Sequence, residues 1–202
     1  MKYAICQVSV SPLRSEPTDL LEMVSQVLFG EKVEVLETKK NWIKIKADFD
    51  GYEGWCDSKQ FTEVSEEEFH SIQNDKFASE SFNLAVENDA PVTLPLASSL
   101  ANLRDGKIKF GTKELDYLGE FCEANFSKSE IPALSSMYLN TPYLWGGKSV
   151  FGIDCSGLVQ QVYKFSGVKL PRDAYQQAEI GEALSFVEEA EPGDLAFFDN
   201  PE

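Results

Sequence analysis

The sequence predicts an α+β protein in which two small β-barrels precede a domain that contains helices. Short runs rich in β-branched and aromatic residues fill the chain up to residue 124, turn residues separate these runs, and the helical patterns follow. The chain has 202 residues, of which 43% are hydrophobic, so it is long enough for several domains with ordinary cores.

The charge excludes some classes of partner. A formal net charge of −16 disfavours nucleic acid and anionic membranes, because both require a basic face that displaces counterions. The residues after Met1 contain no apolar run of about seven residues, as a secretory signal would. We therefore expect a cytoplasmic, monomeric protein that takes no nucleic acid and no membrane as partner.

The cysteines predict free thiols. Cys6, Cys56, Cys122 and Cys155 are far apart and form no C-x-x-C pair, which is typical of reduced cysteines rather than a disulfide framework. We expect the first three to be small buried residues. His70 is the one histidine, and it has no partner at metal-ligand spacing, so neither a metal nor another cofactor is predicted.

The first domain is predicted to span residues 1–65 and to form a small barrel. A long loop from Ser11 to Gly30 is expected within it, and Thr62 to Asp75 is expected to be an acidic connection, with residues 66–76 as the linker proper. Apolar and charged residues alternate from Trp42 to Lys46, as in a strand with one face in water. The expected strands are Tyr3 to Val10, Lys32 to Glu37, Trp42 to Ala47 and Tyr52 to Cys56.

The second domain, residues 77–124, is also predicted to be β, and residues 125–202 form the third domain. A helix capped by Ser129 is expected to open the third domain, with Pro132 tolerated in its first turn. In the second domain Asp105-Gly106 is expected to form a turn. Its expected strands are Ser81 to Asn88, Pro91 to Pro95, Lys107 to Phe110 and Thr112 to Leu118.

Cys155 stands where a second helix is predicted to begin. Asp154 can cap this helix and Gly167 can end it, and a helix N-terminus favours the thiolate form of a cysteine. The alternative is a structural cysteine in an apolar helix, which is common. The residues expected on the buried face are Leu158, Val159, Val162, Tyr163 and Phe165, and those expected in solvent are Gln160, Gln161 and Lys164.

Four motifs in order carry a family resemblance over about the last third of the chain. They are Tyr143-Leu144-Trp145-Gly146-Gly147, Asp154-Cys155-Ser156-Gly157, Leu170-Pro171-Arg172-Asp173 and the run from Pro192 to Phe198. Together they resemble the NlpC-type papain-like cysteine peptidases of bacterial cell-wall metabolism. Gly51-Tyr52-Glu53-Gly54-Trp55 resembles the bacterial SH3-like domains that precede such peptidases, and residues 77–124 look like a second one.

The resemblance implies a reaction and a partner. Cys155 would attack the amide between γ-D-glutamate and a diamino acid in a peptidoglycan stem peptide that begins with a free L-alanine. Tyr143 and Trp145 would line the pocket, and Asp154 and Tyr52, with Glu16 or Glu22, would meet the free amine. Ser156 and Asp173 would contact the γ-D-glutamyl group, and Ala174 would offer its backbone N–H.

Each of these residues also has a structural interpretation. Tyr52 and Trp55 fit a barrel core, Tyr143 and Trp145 fit a contact between domains, and Asp154 and Asp173 fit helix caps. Asp173 is expected to cap a helix from Ala174 to Ile180 in either case.

One departure from the family concerns the base. In the family, the strand that resembles Asp194 to Phe198 leads to a histidine that serves as general base, whereas this sequence ends at Glu202. We therefore expect an incomplete papain-like domain that is inactive as it stands and exposes an apolar edge around Leu195, Phe197 and Phe198. A non-catalytic module that binds muropeptides is the alternative function, and a cysteine acyltransferase is a third.

Overall fold

The computed structural model describes residues 1–73 and 75–198, and it is a mixed α/β fold made mostly of strands. This confirms the predicted fold class. The first module, residues 1–65, has one seven-stranded sheet in the order β3-β2-β6-β5-β4-β1-β7. Its strands are β1 (Tyr3–Cys6), β2 (Val10–Arg14), β3 (Met23–Leu28), β4 (Lys32–Lys39), β5 (Trp42–Ala47), β6 (Glu53–Asp57) and β7 (Phe61–Val64).

Strand β5 shows how the sequence pattern becomes a half-buried strand. Ile43 and Ile45 are almost completely buried, while the lysines between and after them face outward. β5 pairs with β4 on one side and β6 on the other, both antiparallel. The buried isoleucines pack with Leu13, Val27 and Cys56 into the core of this module. The alternation therefore predicted both the strand and its inner face.

The expected long loop from Ser11 to Gly30 is wrong, because β2 and β3 lie inside it. The two strands pair antiparallel from Val10↔Leu28 to Arg14↔Met23, with a bulge near Leu13. Pro12 weakened the strand signal in β2, and the buried polar residues Ser25 and Gln26 weakened it in β3. Strand β3 is the edge of the sheet and becomes important at the candidate site.

The second module, residues 77–124, follows its predicted strands within about one residue. β9 (Phe82–Glu87), β10 (Ala90–Pro95), β11 (Lys107–Phe110) and β12 (Lys113–Tyr117) form a four-stranded sheet in the order β10-β9-β12-β11. A separate two-stranded sheet pairs β8 (Lys76–Ala78) with β13 (Phe121–Glu123), which the sequence pattern did not reveal. The domain boundaries and the barrel character of this module stay predictions.

The two β modules share one hydrophobic core. Ile5 and Phe29 from the first module pack with Leu94 and Phe110 from the second, and the rings of Phe29 and Phe110 meet edge to face. Helix α1 (Glu66–Ser71) lies in the expected acidic connection, yet its Phe69 is 5% exposed and belongs to this core. The segment expected to be a loose connection is thus a structural element, because its apolar side chains are buried between the modules.

The C-terminal segment, residues 125–198, carries the remaining helices. They are α2 (Ile131–Ser136), α3 (Cys155–Lys164) and α4 (Ala174–Ala178), and a short hairpin of β14 (Lys148–Ser149) and β15 (Gly152–Ile153) precedes α3. Helix α2 is preceded by a 3-10 turn from Lys128 to Glu130, in which the Glu130 carboxylate accepts from the Ser127 N–H at 2.8 Å. The helical cap thus lies at Ser127 rather than at the predicted Ser129.

Helix α3 is more deeply buried than its pattern predicted. Gln160 and Gln161 are 0% exposed and Lys164 is 2% exposed, although all three were expected in solvent. Gln160 donates to Asp50 of the first module at 2.8 Å, and Lys164 donates to the Ala97 carbonyl of the second at 2.9 Å. The prediction was wrong because both β modules cover the polar face of α3, which a single amphipathic pattern does not record.

Lys164 takes part in a buried ionic cluster where the three parts of the chain meet. Its ammonium lies 2.9 Å from one carboxylate oxygen of Glu31, and the Lys148 ammonium lies 3.1 Å from the other. Burial alone raises the pKa of Glu31, but the two lysines outweigh it and lower this pKa to about 2. Burial lowers the pKa of Lys164, and the nearby charge of Lys148 lowers it further, while Glu31 opposes both effects. We call Glu31, Lys148 and Lys164 the junction triad.

The last described residues form no strand. A 3-10 turn from Val187 to Glu189 is followed by an irregular stretch in which Leu195, Phe197 and Phe198 are 37%, 43% and 89% exposed. The predicted strand from Asp194 to Phe198 is therefore wrong, whereas the predicted exposure of its apolar residues is confirmed. Within residues 1–73 and 75–198, no helix combines the length and apolar character needed to cross a bilayer.

Candidate active site

Cys155 is the first residue of α3, and its side chain is exposed. Asp154 is the N-cap, and its Oδ1 accepts from the Gly157 N–H at 2.7 Å, which fixes the first turn of the helix. The predicted helix start is confirmed. An accessible sulfur thus lies among the unpaired N–H groups of a helix N-terminus, where negative charge is favoured.

The loop from Tyr143 to Gly147 packs against the start of α3, where the Asp154 N–H donates to the Gly147 carbonyl at 3.1 Å. Tyr143 and Trp145 are 66% and 64% exposed, and the Leu144 N–H donates to the Ile153 carbonyl at 3.1 Å, which ties the loop to β15. The pKa of the Tyr143 phenol is raised, first by burial and then by negative charge at Cys155 and Asp154. Tyr143 therefore lies close to the sulfur, as expected for a side chain that lines a substrate groove.

Asp154 is engaged in a buried ion pair. It is 7% exposed, and its Oδ2 accepts from Arg172 Nη2 at 2.7 Å and from the Gly146 N–H at 2.8 Å. Its Oδ1 accepts from Arg172 Nη1 at 3.0 Å, in addition to the cap bond. A substrate ammonium would have to displace these partners, so the geometry supports the capping role of Asp154 better than the role of amine acceptor.

Ser156 is also occupied by interactions within the protein. Its hydroxyl donates to Asp154 Oδ1 at 3.3 Å and accepts from Arg172 Nη1 at 2.8 Å, and the residue is 8% exposed. Its backbone carbonyl accepts from Gln177 Nε2 at 3.0 Å, which joins α4 to the start of α3. A direct contact of Ser156 with a γ-D-glutamyl group stays a prediction.

Arg172 lies in the motif Leu170-Pro171-Arg172-Asp173, but the sequence predicted no role for it. It is 2% exposed, and its guanidinium reaches Asp154, Ser156 and the Gly147 carbonyl. Its Nε donates to Ser25 of the first module at 3.1 Å. No local pattern indicates this role, because its partners Asp154 and Ser25 lie 18 and 147 residues earlier in the chain.

The structure brings Tyr52 and Asp173 together across the boundary between modules. The Tyr52 hydroxyl donates to Asp173 Oδ1 at 3.4 Å. Burial, followed by the charge of Asp173, raises the pKa of Tyr52 to about 12, and burial likewise raises the pKa of Asp173. Asp173 occupies the N-cap position of α4 with no side-chain cap bond, so its carboxylate faces Tyr52 rather than the helix. Ala174 follows as the first, half-buried residue of α4.

A second contact across this boundary joins Trp145 to Glu22. The indole Nε1 donates to Glu22 Oε1 at 2.6 Å, so the residue preceding β3 is in direct contact with the loop from Tyr143 to Gly147. Glu16, the other candidate for the amine pocket, is exposed. Two carboxylates from different parts of the chain, Glu22 and Asp173, thus each accept a hydrogen bond from an aromatic side chain across this boundary.

The single histidine lies elsewhere in the described structure. His70 is in α1, where its ring packs against Tyr3 and Phe69 at centroid distances of 5.7 and 5.3 Å. These residues border the shared core of the β modules rather than the start of α3. His70 is therefore a surface residue that covers this core, and the described contacts give it no link to Cys155.

The other thiols are poor nucleophiles. Cys6 and Cys56 are fully buried, and burial raises the pKa of Cys56 to about 12 and that of Cys6 further still. Burial raises the pKa of the half-buried Cys122 to about 11. Among residues 1–73 and 75–198, no group of three His, Cys, Asp or Glu side chains is arranged to hold a metal ion.

Two stretches of the chain match known families. The NlpC/P60 family model matches residues 140–202, and the model of the bacterial dipeptidyl-peptidase SH3 domain matches residues 13–61. A γ-D-glutamyl-L-lysine dipeptidyl-peptidase from Bacillus subtilis is 29% identical over 86% of this chain and 63% of its own length. A dipeptidyl-peptidase 6 from Lysinibacillus sphaericus is 27% identical over 96% of this chain and 81% of its own length.

A solved structure shows the same fold. It is an NlpC/P60 family protein from Bacillus cereus with a TM-score of 0.81 at 23% identity, covering 95% of this chain and 81% of its own. This chain spans 63% and 61% of the length of two of the curated relatives that it matches. Both family matches fall on the parts of the chain that meet beside Cys155. Residues 13–61 therefore match a bacterial dipeptidyl-peptidase SH3 domain, and residues 140–202 match the NlpC/P60 family.

Proposed function

We propose that this protein is a cysteine peptidase that cleaves peptidoglycan stem peptides between γ-D-glutamate and the diamino acid. The observation that carries the proposal is the exposed Cys155 at the N-terminus of α3, next to a loop that presents the exposed aromatic side chains of Tyr143 and Trp145. The curated relatives named as dipeptidyl-peptidases support the class of reaction.

The reaction proceeds through an acyl-enzyme. The Cys155 thiolate attacks the γ-carbonyl carbon of D-glutamate, the carbon–nitrogen bond breaks, and the diamino acid leaves with a proton on its amine. Water then hydrolyses the thioester and releases L-Ala-γ-D-Glu and the thiol. A base must take the thiol proton and deliver it to the leaving amine, and His70, packed on Tyr3 and Phe69, is not placed to do so.

The free N-terminus of the substrate is proposed to lie near Tyr52 and Asp173. The carboxylate of Asp173 is disfavoured by burial, and an incoming ammonium would compensate for its charge. Glu22 adds a second carboxylate at the same boundary. A charge-assisted hydrogen bond contributes roughly 1.5–3 kcal/mol, so a free amine should bind about tenfold or more tightly than a blocked one.

The test uses one peptide in two forms. L-Ala-γ-D-Glu-diaminopimelate and its N-acetyl derivative are incubated with the protein, and mass spectrometry measures release of the dipeptide. We expect release from the free peptide, with a group other than His70 as the base, release at least about tenfold slower from the acetylated peptide, and none with Cys155→Ala. Cys122→Ala is the matched control and should behave as the wild type. Release by Cys155→Ala would overturn the proposal.

A non-catalytic muropeptide-binding module is the second candidate, and the position of His70 favours it. Calorimetric titration of Cys155→Ala separates the two candidates, because binding is measured without turnover. Preferential binding of the free peptide, with no dipeptide released by the wild type, would select the binding module. Equal binding of the free and acetylated peptides would contradict recognition of the free amine by Tyr52 and Asp173 in either candidate.

A further inference from the structure

We propose that Arg172 is a positioning residue that makes the geometry around Cys155 depend on the docking of strand β3. The proposal concerns the same site as the proposed function, but its evidence lies in a buried hydrogen-bond network. The network joins Ser25, in the first module, to the residues on either side of the nucleophile.

Arg172 uses its full donor capacity. An arginine side chain has five N–H groups in a rigid fork. Here Nε donates to Ser25, Nη1 donates to Asp154 and Ser156, and Nη2 donates to Asp154 and Gly147. The side chain is 2% exposed, so water does not compete for these donors. Each donor therefore depends on a protein acceptor staying in place.

The acceptors bracket the nucleophile. Asp154 and Ser156 are the immediate neighbours of Cys155, and Asp154 also caps the helix through the Gly157 N–H at 2.7 Å. The Gly147 carbonyl, a fourth acceptor, receives the Asp154 N–H at 3.1 Å. Movement of the guanidinium therefore shifts the helix cap and the loop that lines the groove at the same time.

Ser25 brings the first module into this network. It is 2% exposed and lies in β3, at the edge of the seven-stranded sheet. Its neighbour Gln26 accepts from the Lys148 N–H at 2.9 Å, and a Cβ at Gly146 would overlap the carbonyl oxygen of Met23. β3 and the loop from Trp145 to Lys148 are thus closely packed in one relative position. The hydrogen bond from Arg172 to Ser25 links this packed region to the residues around Cys155.

The test is the pH profile of Cys155 alkylation by iodoacetamide, followed by peptide mass spectrometry so that each cysteine is read separately. Ser25→Ala leaves the Arg172 Nε–H unpaired and is expected to move the midpoint of the profile to higher pH and to slow labelling at neutral pH about fivefold. Ser25→Thr keeps the hydroxyl and should restore the wild-type profile. Arg172→Lys keeps the charge, loses the fork, and should shift the profile at least as far as Ser25→Ala.

Ser11→Ala is the matched control. Ser11 is a buried serine of the same module, and its hydroxyl donates to Gln60, away from the network. It should lower the unfolding temperature by an amount similar to that for Ser25→Ala, yet leave the Cys155 profile unchanged. If Arg172→Lys fails to fold, the two Ser25 variants decide the question.

A wild-type profile for Ser25→Ala, or an equal shift for Ser11→Ala, would overturn the proposal. Failure of Ser25→Thr to restore the profile would overturn it as well. Labelling requires no peptide and no turnover, so the result is independent of the proposed function. A protein that releases no dipeptide can still show the predicted shift.

Discussion

The junction triad gives the most quantitative prediction for stability. The change is Glu31→Gln, which removes one negative charge with almost no change in shape. The side chains of Lys148 and Lys164 are each 2% exposed and that of Glu31 is 6% exposed, so both cations would lose their shared counterion away from water. Removal of one partner from a buried ion pair typically costs about 3–5 kcal/mol.

We expect the lower end of that range, roughly 3 kcal/mol, because the glutamine carbonyl still accepts one hydrogen bond. A domain has about 5–15 kcal/mol of stability in all, so the loss should be obvious. The assay is urea unfolding followed by tryptophan fluorescence and circular dichroism, with the free energy of unfolding taken from linear extrapolation.

The matched control is Glu53→Gln. Glu53 lies 2.8 Å from Lys44, but both side chains are in solvent, at 46% and 36% exposed. Because solvent screens exposed pairs, the control should unfold at nearly the wild-type urea concentration. The double variant Glu31→Gln/Lys164→Met should recover part of the loss, because one unpaired cation is removed. Equal unfolding midpoints for the Glu31 and Glu53 variants would refute the reasoning.

Three other features can be tested: the acid sensitivity of Glu31, the close packing at Gly146 and the Tyr52 hydroxyl. The pKa of Glu31 is lowered to about 2 in the folded protein, so the ionised Glu31 stabilises the fold above its ordinary pKa of roughly 4.3. This stabilisation is lost as the pH falls towards 2. Over that pH range the free energy of unfolding should therefore fall more steeply for the wild type than for Glu31→Gln. Gly146→Ala should lower the unfolding temperature much more than Gly181→Ala. Both glycines have positive φ, but a Cβ at Gly146 would overlap the Met23 carbonyl oxygen, whereas a Cβ at Gly181 meets nothing within 4 Å. Equal losses would show that backbone strain alone determines the effect. Tyr52→Phe should weaken calorimetric binding of the free-amine peptide to Cys155→Ala about fivefold, while binding of the acetylated peptide stays constant.

Patterns within a few neighbouring residues correctly predicted strand β5 and the start of helix α3. The alternation from Trp42 to Lys46 predicted β5 and its buried face, and an aspartate before a cysteine predicted the start of α3. Both depend on preferences within a few residues, namely side-chain alternation and helix capping. These preferences survive wherever the element is placed in the fold.

Contacts between distant parts of the chain could not be predicted in this way. Lys164 and Gln160 look like residues of a solvated helix face until the β modules are packed against α3. Arg172 is unremarkable in sequence, although it pairs with Asp154 eighteen residues earlier and with Ser25 in another module. Buried polar pairs of this kind are specified by tertiary structure, because each partner is costly to bury without the other.

The hydrophobic core shared by the two β modules limits how the protein could be rearranged. The rings of Phe29 and Phe110 meet edge to face across the boundary, so removal of either module would expose the aromatic ring of the other. Separation of the modules near residue 65 is therefore expected to give fragments that aggregate through the exposed core residues. The shared core therefore predicts that the two modules unfold together in one cooperative transition.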